Sequence, residues 1–342
     1  MTHTPLIERW RSHLPFAEED RIISLQEGST PLVHAPLISE MVEANVYLKL
    51  EGANPTGSFK DRGMTCAVSA AVRDNAKAVM CASTGNTAAS AAAYAARAGI
   101  TCAVIVPEGK IAQGKLAQTL IHGARVISLA GNFDRALELV REMTATHPIV
   151  LVNSVNEYRI EGQKTSALEI DVDLAGSLEA LCTPVGNAGN ITSYWRGFKE
   201  VGAAPRLFGF QAEGAAPLVL GHPVEHPETV ASAIRIGKPV RWEDAMNAVT
   251  ESRGSIRAVS DAEILSAYRL LASREGIFCE PASASSVAGL LKYGTDGAAT
   301  IACVLTGRGL KDPDTALANN DGRIIHCEPQ MAAIEEAVLG EP

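Results

Sequence analysis

The sequence predicts an α/β fold made of two doubly wound, mostly parallel sheet domains. The chain has 342 residues, which is more than one small domain needs. Hydrophobic residues make up 46% and charged residues 20%, an ordinary balance for a chain that buries a large core. Short apolar runs alternate with helix-like patterns along most of the chain, and this alternation is typical of parallel sheets.

The alternation can be followed element by element. The predicted strands are short and apolar, and they are 45–50, 77–82, 101–106, 124–129, 148–152, 178–185, 207–212 and 300–305. The predicted helices are 60–72, 83–98, 111–122, 133–144, 159–169, 191–201, 261–274 and 282–293. Ser58 is expected to cap the first of these helices, and Ser260 the helix at 261–274. Residues 221–258 show no regular pattern.

Charge and composition exclude several classes of function. The net charge of −9 argues against nucleic acid or an anionic membrane surface as a partner. The N-terminal residues are too charged for a signal peptide, and no apolar run approaches the roughly 18 residues of a membrane span. The seven cysteines contain no C-x-x-C pair, and the eight histidines have no metal-ligand spacing. We therefore expect a cytoplasmic protein with reduced cysteines and no metal site.

Lys60 is the first candidate for chemistry. It lies in the stretch Pro55-Thr56-Gly57-Ser58-Phe59-Lys60-Asp61-Arg62-Gly63, between a predicted strand and a predicted helix. A lysine at a helix N-terminus is unfavourable for the helix, because the dipole is positive there. Burial or a nearby positive charge would lower its pKa and make it a nucleophile or a base. Taken alone, a single lysine is more often a solvated surface residue, and the case for Lys60 depends on the other segments.

Three further segments are candidates for binding anions. Gly186, Asn187, Ala188, Gly189 and Asn190 form a turn between a strand and a helix, where backbone N–H groups can converge on a phosphate. Ser83-Thr84-Gly85-Asn86-Thr87 opens a helix and suits a carboxylate or phosphate. Asn153, Ser154 and Arg159 follow the end of another strand, where open α/β sheets bind ligands. The alternatives are an ordinary turn, simple helix capping and a surface arginine.

These segments together resemble the pyridoxal-phosphate enzymes of fold type II, the superfamily of the tryptophan synthase β-subunit. The matching segments lie in family order, and they are Glu27–Leu32, Lys49–Glu51, Asn54–Gly63, Ser83–Thr87, Gly186–Asn190, Glu280–Ser283 and Leu305–Asp312. Residues after Asp312 carry no motif. The resemblance implies a cofactor in the cleft between two domains, a smaller one at 36–154 and a larger one made of 1–35 and 155–342.

The resemblance also implies roles for individual residues. Lys60 would bind pyridoxal 5'-phosphate covalently and transfer the substrate's protons. The other cofactor contacts would be Asn86 at the ring hydroxyl, Thr306 at the ring nitrogen, and Gly186, Asn187, Ala188, Gly189 and Asn190 at the phosphate. The substrate contacts would be Ser83, Thr84, Thr87, Asn153, Ser154 and Arg159. The guanidinium of Arg159 suits a substrate phosphate.

The branch of the superfamily that the chain most resembles implies conversion of O-phosphohomoserine and water to threonine and phosphate, by a homodimer. A threonine or serine dehydratase on the same fold is the main alternative, although it has no phosphate leaving group to bind. A cysteine synthase-like enzyme is a third possibility with this cofactor. A nucleotide-binding dehydrogenase is less favoured, because Thr306-Gly307-Arg308-Gly309 lacks the third glycine of the dinucleotide fingerprint. A ligand-binding module without catalytic activity is also less favoured, because Lys60 is present together with all the cofactor motifs.

Overall fold

The computed structural model of the chain describes residues 4–107, 113–129, 139–140, 142–144, 146–319, 322 and 324–339. The strands within these ranges are β1 (Leu32–His34), β2 (Asn45–Leu50), β3 (Ala78–Ala82), β4 (Thr101–Pro107), β5 (Arg125–Leu129), β6 (Ile149–Leu151), β7 (Ala180–Pro184), β8 (Arg206–Ala212), β9 (Ser255–Val259) and β10 (Thr300–Leu305). The α-helices of the same ranges are α1 (Leu6–Arg9), α2 (Pro36–Val42), α3 (Lys60–Arg73), α4 (Asn86–Ala98), α5 (Gln113–Ile121), α6 (Glu157–Asp173), α7 (Gly189–Glu200), α8 (Pro217–Leu220), α9 (Trp242–Glu251), α10 (Asp261–Arg274), α11 (Pro281–Tyr293), α12 (Pro313–Ala318) and α13 (Met331–Leu339).

The strands form two sheets that are almost entirely parallel. One sheet has six strands in the order β1-β2-β10-β7-β8-β9, and the other has four in the order β5-β4-β3-β6. Every pair is parallel except β1 with β2. The predicted α/β class with two mostly parallel sheets is therefore confirmed.

Strand β2 lies in the six-stranded sheet. It pairs with β10 in parallel register, with Leu48 opposite Cys303. The predicted smaller domain, 36–154, includes β2, so its first boundary does not follow sheet membership. The physical reason is that parallel pairing joins distant parts of the chain, which no local pattern encodes. The division into domains stays a prediction.

Several predicted elements match, two features differ, and one lies partly outside the described residues. Ser260 caps α10 as expected: its Oγ accepts a hydrogen bond from Glu263 N, and the Glu263 side chain accepts one from Ser260 N. The prediction that Ser58 caps α3 is wrong, because Ser58 forms a β-bridge with Gly307 and Phe59 takes the position before the helix. Helix α9 and strand β9 lie in 221–258, where the sequence shows no regular pattern. Part of the predicted helix at 133–144 lies outside the described residues.

A buried ionic cluster lies where α3 packs against α6. Arg62 Nη2 donates to Glu169 Oε2 at 2.6 Å, and Arg62 Nε donates to Glu51 Oε2 at 2.7 Å. Lys49 Nζ donates to Glu169 Oε2 at 2.9 Å. All four side chains are buried. We refer to Lys49, Glu51, Arg62 and Glu169 as the Arg62 cluster, and it fixes the first turn of the helix that begins at Lys60.

None of the helices in the described ranges has both the length and the apolar character needed to cross a membrane.

Candidate active site

A cavity of about 580 Å³ lies between the two sheets. The segments that follow the carboxyl ends of β3, β6, β7 and β10 all contribute to its wall, as expected for ligand sites in open α/β sheets. The predicted site residues that line it are Lys60, Ser83, Thr84, Asn86, Thr87, Ser154, Arg159, Gly186, Asn187, Ala188, Gly189, Asn190 and Thr306. The fold therefore brings residues between Lys60 and Thr306, which are far apart in sequence, together around one cavity.

Lys60 is held at the cavity by the segment that precedes it. Phe59 N donates to Thr306 O at 3.0 Å, and Ser58 forms the β-bridge with Gly307. The Lys60 ammonium lies 4.2 Å from the centroid of the Phe59 ring. Burial lowers the pKa of Lys60 to about 7, and the positive charge of Arg159 adds to this effect. The amine can therefore exist in its neutral, reactive form near neutral pH.

Asp61 fixes the turn that leads into α3. Its carboxylate accepts hydrogen bonds from Thr56 N at 2.7 Å and from Ser90 Oγ at 2.6 Å. Burial raises the pKa of Asp61 to about 6, although these donors favour the charged form. Asp61 thus positions Lys60 through the backbone.

The loop at 186–190 is suited to a phosphate. Ala188 adopts the left-handed conformation with φ of 64°, and α7 begins at the next residue. The first N–H groups of a helix have no partners within the helix, so they can bind an anion. Asn190 Nδ2 is buried and has no hydrogen-bond partner among the described residues. A phosphate at this loop would satisfy that donor, so the loop fits the phosphate of pyridoxal phosphate.

Arg159 is a buried cation with an unused donor. Its side chain is 1% exposed, and Nη1 donates to Val152 O at 2.8 Å. Its Nε has no hydrogen-bond partner in the described part of the chain. Burial lowers the pKa of Arg159 to about 10. Because burial disfavours the charged form of Arg159, an anion in the cavity would stabilise its guanidinium.

Gly63 allows α3 and α6 to approach closely at this point. A Cβ atom on Gly63 would lie 2.6 Å from Arg159 O and 2.9 Å from Arg159 Nε. The glycine of the Lys60 motif is therefore needed to place Lys60 and Arg159 around one cavity.

Asn153 does not line the cavity. Its Oδ1 accepts a hydrogen bond from Ala82 N at 2.9 Å, and its Nδ2 donates to Ala82 O at 3.0 Å. Both polar atoms are thus engaged with the last residue of β3. Asn153 holds the strand end from which the Ser83–Thr87 segment starts.

Several residues that line the cavity wall have no role predicted from the sequence. Glu280 and Lys311 lie within the family motifs, while Gln118 and the segment 232–236 lie outside them. Lys311 Nζ donates to Gln118 Oε1 at 2.6 Å, which joins the two sides of the cavity. Glu280 accepts hydrogen bonds from Asn86 and Thr306. One sequence feature could have indicated Glu280 as a site residue: it directly precedes Pro281, at the start of a helix that follows an apolar run.

The chain is similar in sequence to known proteins over most of its length. Residues 23–307 match the family model described as pyridoxal-phosphate dependent enzyme. The chain is 56% identical to the threonine synthase of Synechocystis sp., over 97% of this chain and 90% of that protein. It is also 56% identical to the threonine synthase of Mycobacterium tuberculosis, over 92% of each chain.

A solved structure supports the fold independently. The T.th. threonine deaminase superposes with a TM-score of 0.69 at 27% identity, covering 86% of this chain and 94% of that one. The two mostly parallel sheets therefore belong to the architecture of this superfamily.

Proposed function

Because the chain belongs to the pyridoxal-phosphate-dependent enzymes and, among them, to the threonine synthases, we propose that it converts O-phosphohomoserine and water to threonine and phosphate. It is then a lyase whose cofactor is pyridoxal 5'-phosphate. The net change breaks the Cγ–O bond to phosphate and one Cβ–H bond, adds the hydroxyl group of water to Cβ and a proton to Cγ, and returns to Cα the proton that was removed from it.

The residues around the cavity fit the cofactor. Lys60 would bind it covalently through Nζ, and the loop at 186–190 would hold its phosphate through backbone N–H groups and Asn190 Nδ2. Asn86 would contact the ring hydroxyl and Thr306 the ring nitrogen. When bound, the cofactor supplies an electron sink for the charge that proton removal leaves on the substrate.

The substrate carries two anionic groups, and the cavity offers a position for each. Ser83, Thr84 and Thr87 surround the N-terminus of α4, which would bind the carboxylate. Arg159 and Ser154 would bind the phosphate, with the guanidinium of Arg159 as the charged donor group. Asn153 would act indirectly, through the backbone of Ala82.

Lys60 would transfer the protons of the substrate. Lys60 and Arg159 both line the cavity, so an Nζ that is not bound to the cofactor would be available there as a base. A pKa of about 7 lets Nζ accept the Cα proton at neutral pH and return it later. The Phe59–Thr306 hydrogen bond keeps this amine beside the residue proposed for the ring nitrogen.

Arg159 is the observation that favours the synthase over a dehydratase. A dehydratase forms a 2-oxo acid and ammonia and releases no phosphate, so the buried guanidinium at the cavity would have no leaving phosphate to bind. In a synthase, the guanidinium of Arg159 would bind the leaving phosphate.

Product analysis tests the proposal. Purified protein with pyridoxal phosphate and O-phosphohomoserine should form threonine and inorganic phosphate in equal amounts. Lys60→Ala should lose both turnover and the visible absorbance of bound cofactor, while Lys77→Ala, an exposed lysine, should keep both. A 2-oxo acid and ammonia from threonine or serine, with O-phosphohomoserine untouched, would contradict the synthase and identify a dehydratase.

We also propose a homodimer in the cytoplasm. The C-terminal segment exposes many large apolar side chains, which supports a protein interface; these include Leu310, Leu317, Ile324, Ile325, Met331, Val338 and Leu339. All seven cysteines are free, which supports a reducing compartment. Light scattering of the purified chain would measure its mass, and a monomer would contradict the dimer.

A further inference from the structure

Glu280 lies between the two residues proposed to contact the cofactor ring. Asn86 Nδ2 donates to Glu280 Oε2 at 3.0 Å, and Thr306 Oγ1 donates to Glu280 Oε1 at 3.2 Å. The residue is 4% exposed, so these contacts take the place of water. Asn86 begins α4 beside the four-stranded sheet, and Thr306 follows β10 of the six-stranded sheet. Glu280 therefore joins both walls of the cavity.

The backbone is built to leave room for this carboxyl group. Glu280 N donates to Gly307 O at 3.0 Å. A Cβ atom on Gly307 would lie 2.5 Å from Glu280 Oε1, so any other residue type would displace the Glu280 carboxyl group from this position. The glycine that follows Thr306 thus allows Glu280 to reach the Thr306 hydroxyl group.

Two acceptors compete for the one hydroxyl proton of Thr306. Ser283 Oγ accepts from Gly307 N at 3.0 Å and lies 2.9 Å from Thr306 Oγ1. Gly307 O is also an acceptor for Ser283 Oγ but lies farther away, at 3.4 Å, so Thr306 Oγ1 is the better placed acceptor for the Ser283 proton. A hydroxyl group has one proton to donate. The Thr306 proton can therefore go to Glu280 or to a ring nitrogen in the cavity, but not to both.

The charge on Glu280 decides between these two partners. An ionised carboxylate only accepts hydrogen bonds, so it would hold the Thr306 proton. The ring nitrogen would then face a lone pair of Thr306 and would need its own proton to form a hydrogen bond. A neutral Glu280 can instead donate to Thr306, which leaves the Thr306 proton for the ring nitrogen.

The surroundings of Glu280 act in both directions. Burial raises the pKa of Glu280, while the donors Asn86 and Thr306 favour the ionised form. Lys311, after β10, and Lys60, at the start of α3, also favour the ionised form through their charges. Cys279, its neighbour in sequence, is a buried thiol whose pKa is raised by burial and which stays neutral. Neither protonation state of Glu280 is thus excluded by its neighbours in the described part of the chain.

We propose that Glu280 is a positioning residue for the ring nitrogen of the bound cofactor, and that its protonation determines whether Thr306 donates its proton to the carboxyl group or to that nitrogen. This inference rests on the proposed function, which places Thr306 at the ring nitrogen. It gives Glu280 control over how strongly the ring withdraws electrons during the reaction.

Nitrogen-15 NMR of the holoenzyme tests this directly, with the label in the ring of the pyridoxal phosphate. In Glu280→Gln the amide can donate to Thr306 and cannot lose a proton. We expect its ring-nitrogen signal to stay constant with pH, and the wild-type signal to approach it as the pH falls. Glu243→Gln, an exposed glutamate on α9, should behave as wild type. Identical signals from wild type and Glu280→Gln at every pH would overturn the proposal.

Thr306→Val provides a second test that does not depend on how well Glu280→Gln folds. Without the hydroxyl group, the wild-type response of the ring nitrogen to pH should disappear. An unchanged response would mean that Glu280 acts through its field alone, and the proposal would fail. The signal reports the bound cofactor and not the product, so this outcome is separate from any failure of the proposed reaction.

Discussion

Arg62 binds Glu51 through two hydrogen bonds, from Nε to Oε2 at 2.7 Å and from Nη2 to Oε1 at 2.9 Å. Both side chains are buried. Glu51 follows β2 of the six-stranded sheet, and Arg62 lies two residues after Lys60. The pair therefore anchors the reactive lysine to the sheet, and the sheet's stability and the position of Lys60 depend on the same charges.

Removing the charge of Arg62 should destabilise the protein strongly. Arg62→Met would leave Glu51 and Glu169 buried without their main partner, and we expect a loss of about 3–5 kcal/mol in the free energy of unfolding. Denaturation with guanidinium chloride measures this. The control is Lys199→Met, which breaks an exposed pair with Glu251 of 2.8 Å and should cost far less. Equal losses in the two variants would show that burial of the Arg62 cluster contributes nothing.

The same cluster should make the protein sensitive to acid. Burial alone would raise the pKa of Glu51 and Glu169, but the charge and hydrogen bonds of Arg62 outweigh it and hold both pKa values below the ordinary 4.5. The unfolded chain therefore takes up these protons at a higher pH than the folded chain does. The stabilisation is complete above about pH 4.5 and is lost as the pH falls through the lower, folded values.

Unfolding free energies measured from pH 7 down to acid conditions check this sign. Glu169→Gln should be less stable than wild type at pH 7 and should lose less on acidification. Glu243→Gln, exposed and outside the cluster, should follow the wild-type curve. A Glu169→Gln curve parallel to wild type would contradict the assignment.

Uptake of cofactor by the cofactor-free protein should depend on the protonation of Lys60. Only the neutral amine can attack the aldehyde of pyridoxal phosphate, so the rate should rise with pH around a midpoint of about 7. Arg159→Met removes a positive charge that lowers the pKa of Lys60, so the midpoint should move to higher pH. Stopped-flow absorbance follows the reaction. A midpoint that stays in place in Arg159→Met would show that the two cations do not interact.

Loss of the Arg159 side chain should weaken substrate binding more than chemistry. Hydrogen bonds to charged groups contribute about 1.5–3 kcal/mol, so Arg159→Ala should raise KM for O-phosphohomoserine by roughly ten- to a hundredfold. Arg159→Lys should recover part of the loss, because it keeps the charge without the planar fork. Arg196→Ala, which pairs with Glu157 and Glu161 on the surface of α6, is the control. Unaltered kinetics in Arg159→Ala would remove Arg159 from the site.

Adding a single methyl group at Gly63 should disturb two site residues together. The new Cβ of Gly63→Ala would meet Arg159 O at 2.6 Å, so α3 and α6 must separate. We expect a loss of about 1–3 kcal/mol in stability. The shift should also reduce kcat/KM, because Lys60 and Arg159 lie on the two helices. Normal stability and activity in this variant would show that the helices adjust without strain.

Local patterns predicted much of this structure, and the exceptions share a cause. Lys60 and Gly186–Asn190 became candidates because each lies in a short run whose residue types indicate a helix start or an anion site, while Thr306 became one only through the family resemblance. The expected cap at Ser58 was wrong, because its β-bridge partner Gly307 is distant in sequence. The contacts of Glu280 with Asn86 and of Lys311 with Gln118 could not be predicted for the same reason, because the partners are 194 and 193 residues apart in sequence. Pairings of this kind depend on the packing of the sheets.

The Arg62 cluster also limits how this sequence can change. Its charges are interdependent, so replacing one of the four residues leaves another buried charge with fewer partners, and a fully apolar version requires several substitutions at once. Divergence should therefore be slow at Lys49, Glu51, Arg62 and Glu169, although none of them lines the cavity. In a recombination library, a crossover that takes 45–62 from one parent and 157–173 from a parent with a different cluster would combine mismatched charges. Chimeras that keep both segments from one parent are the ones we expect to fold.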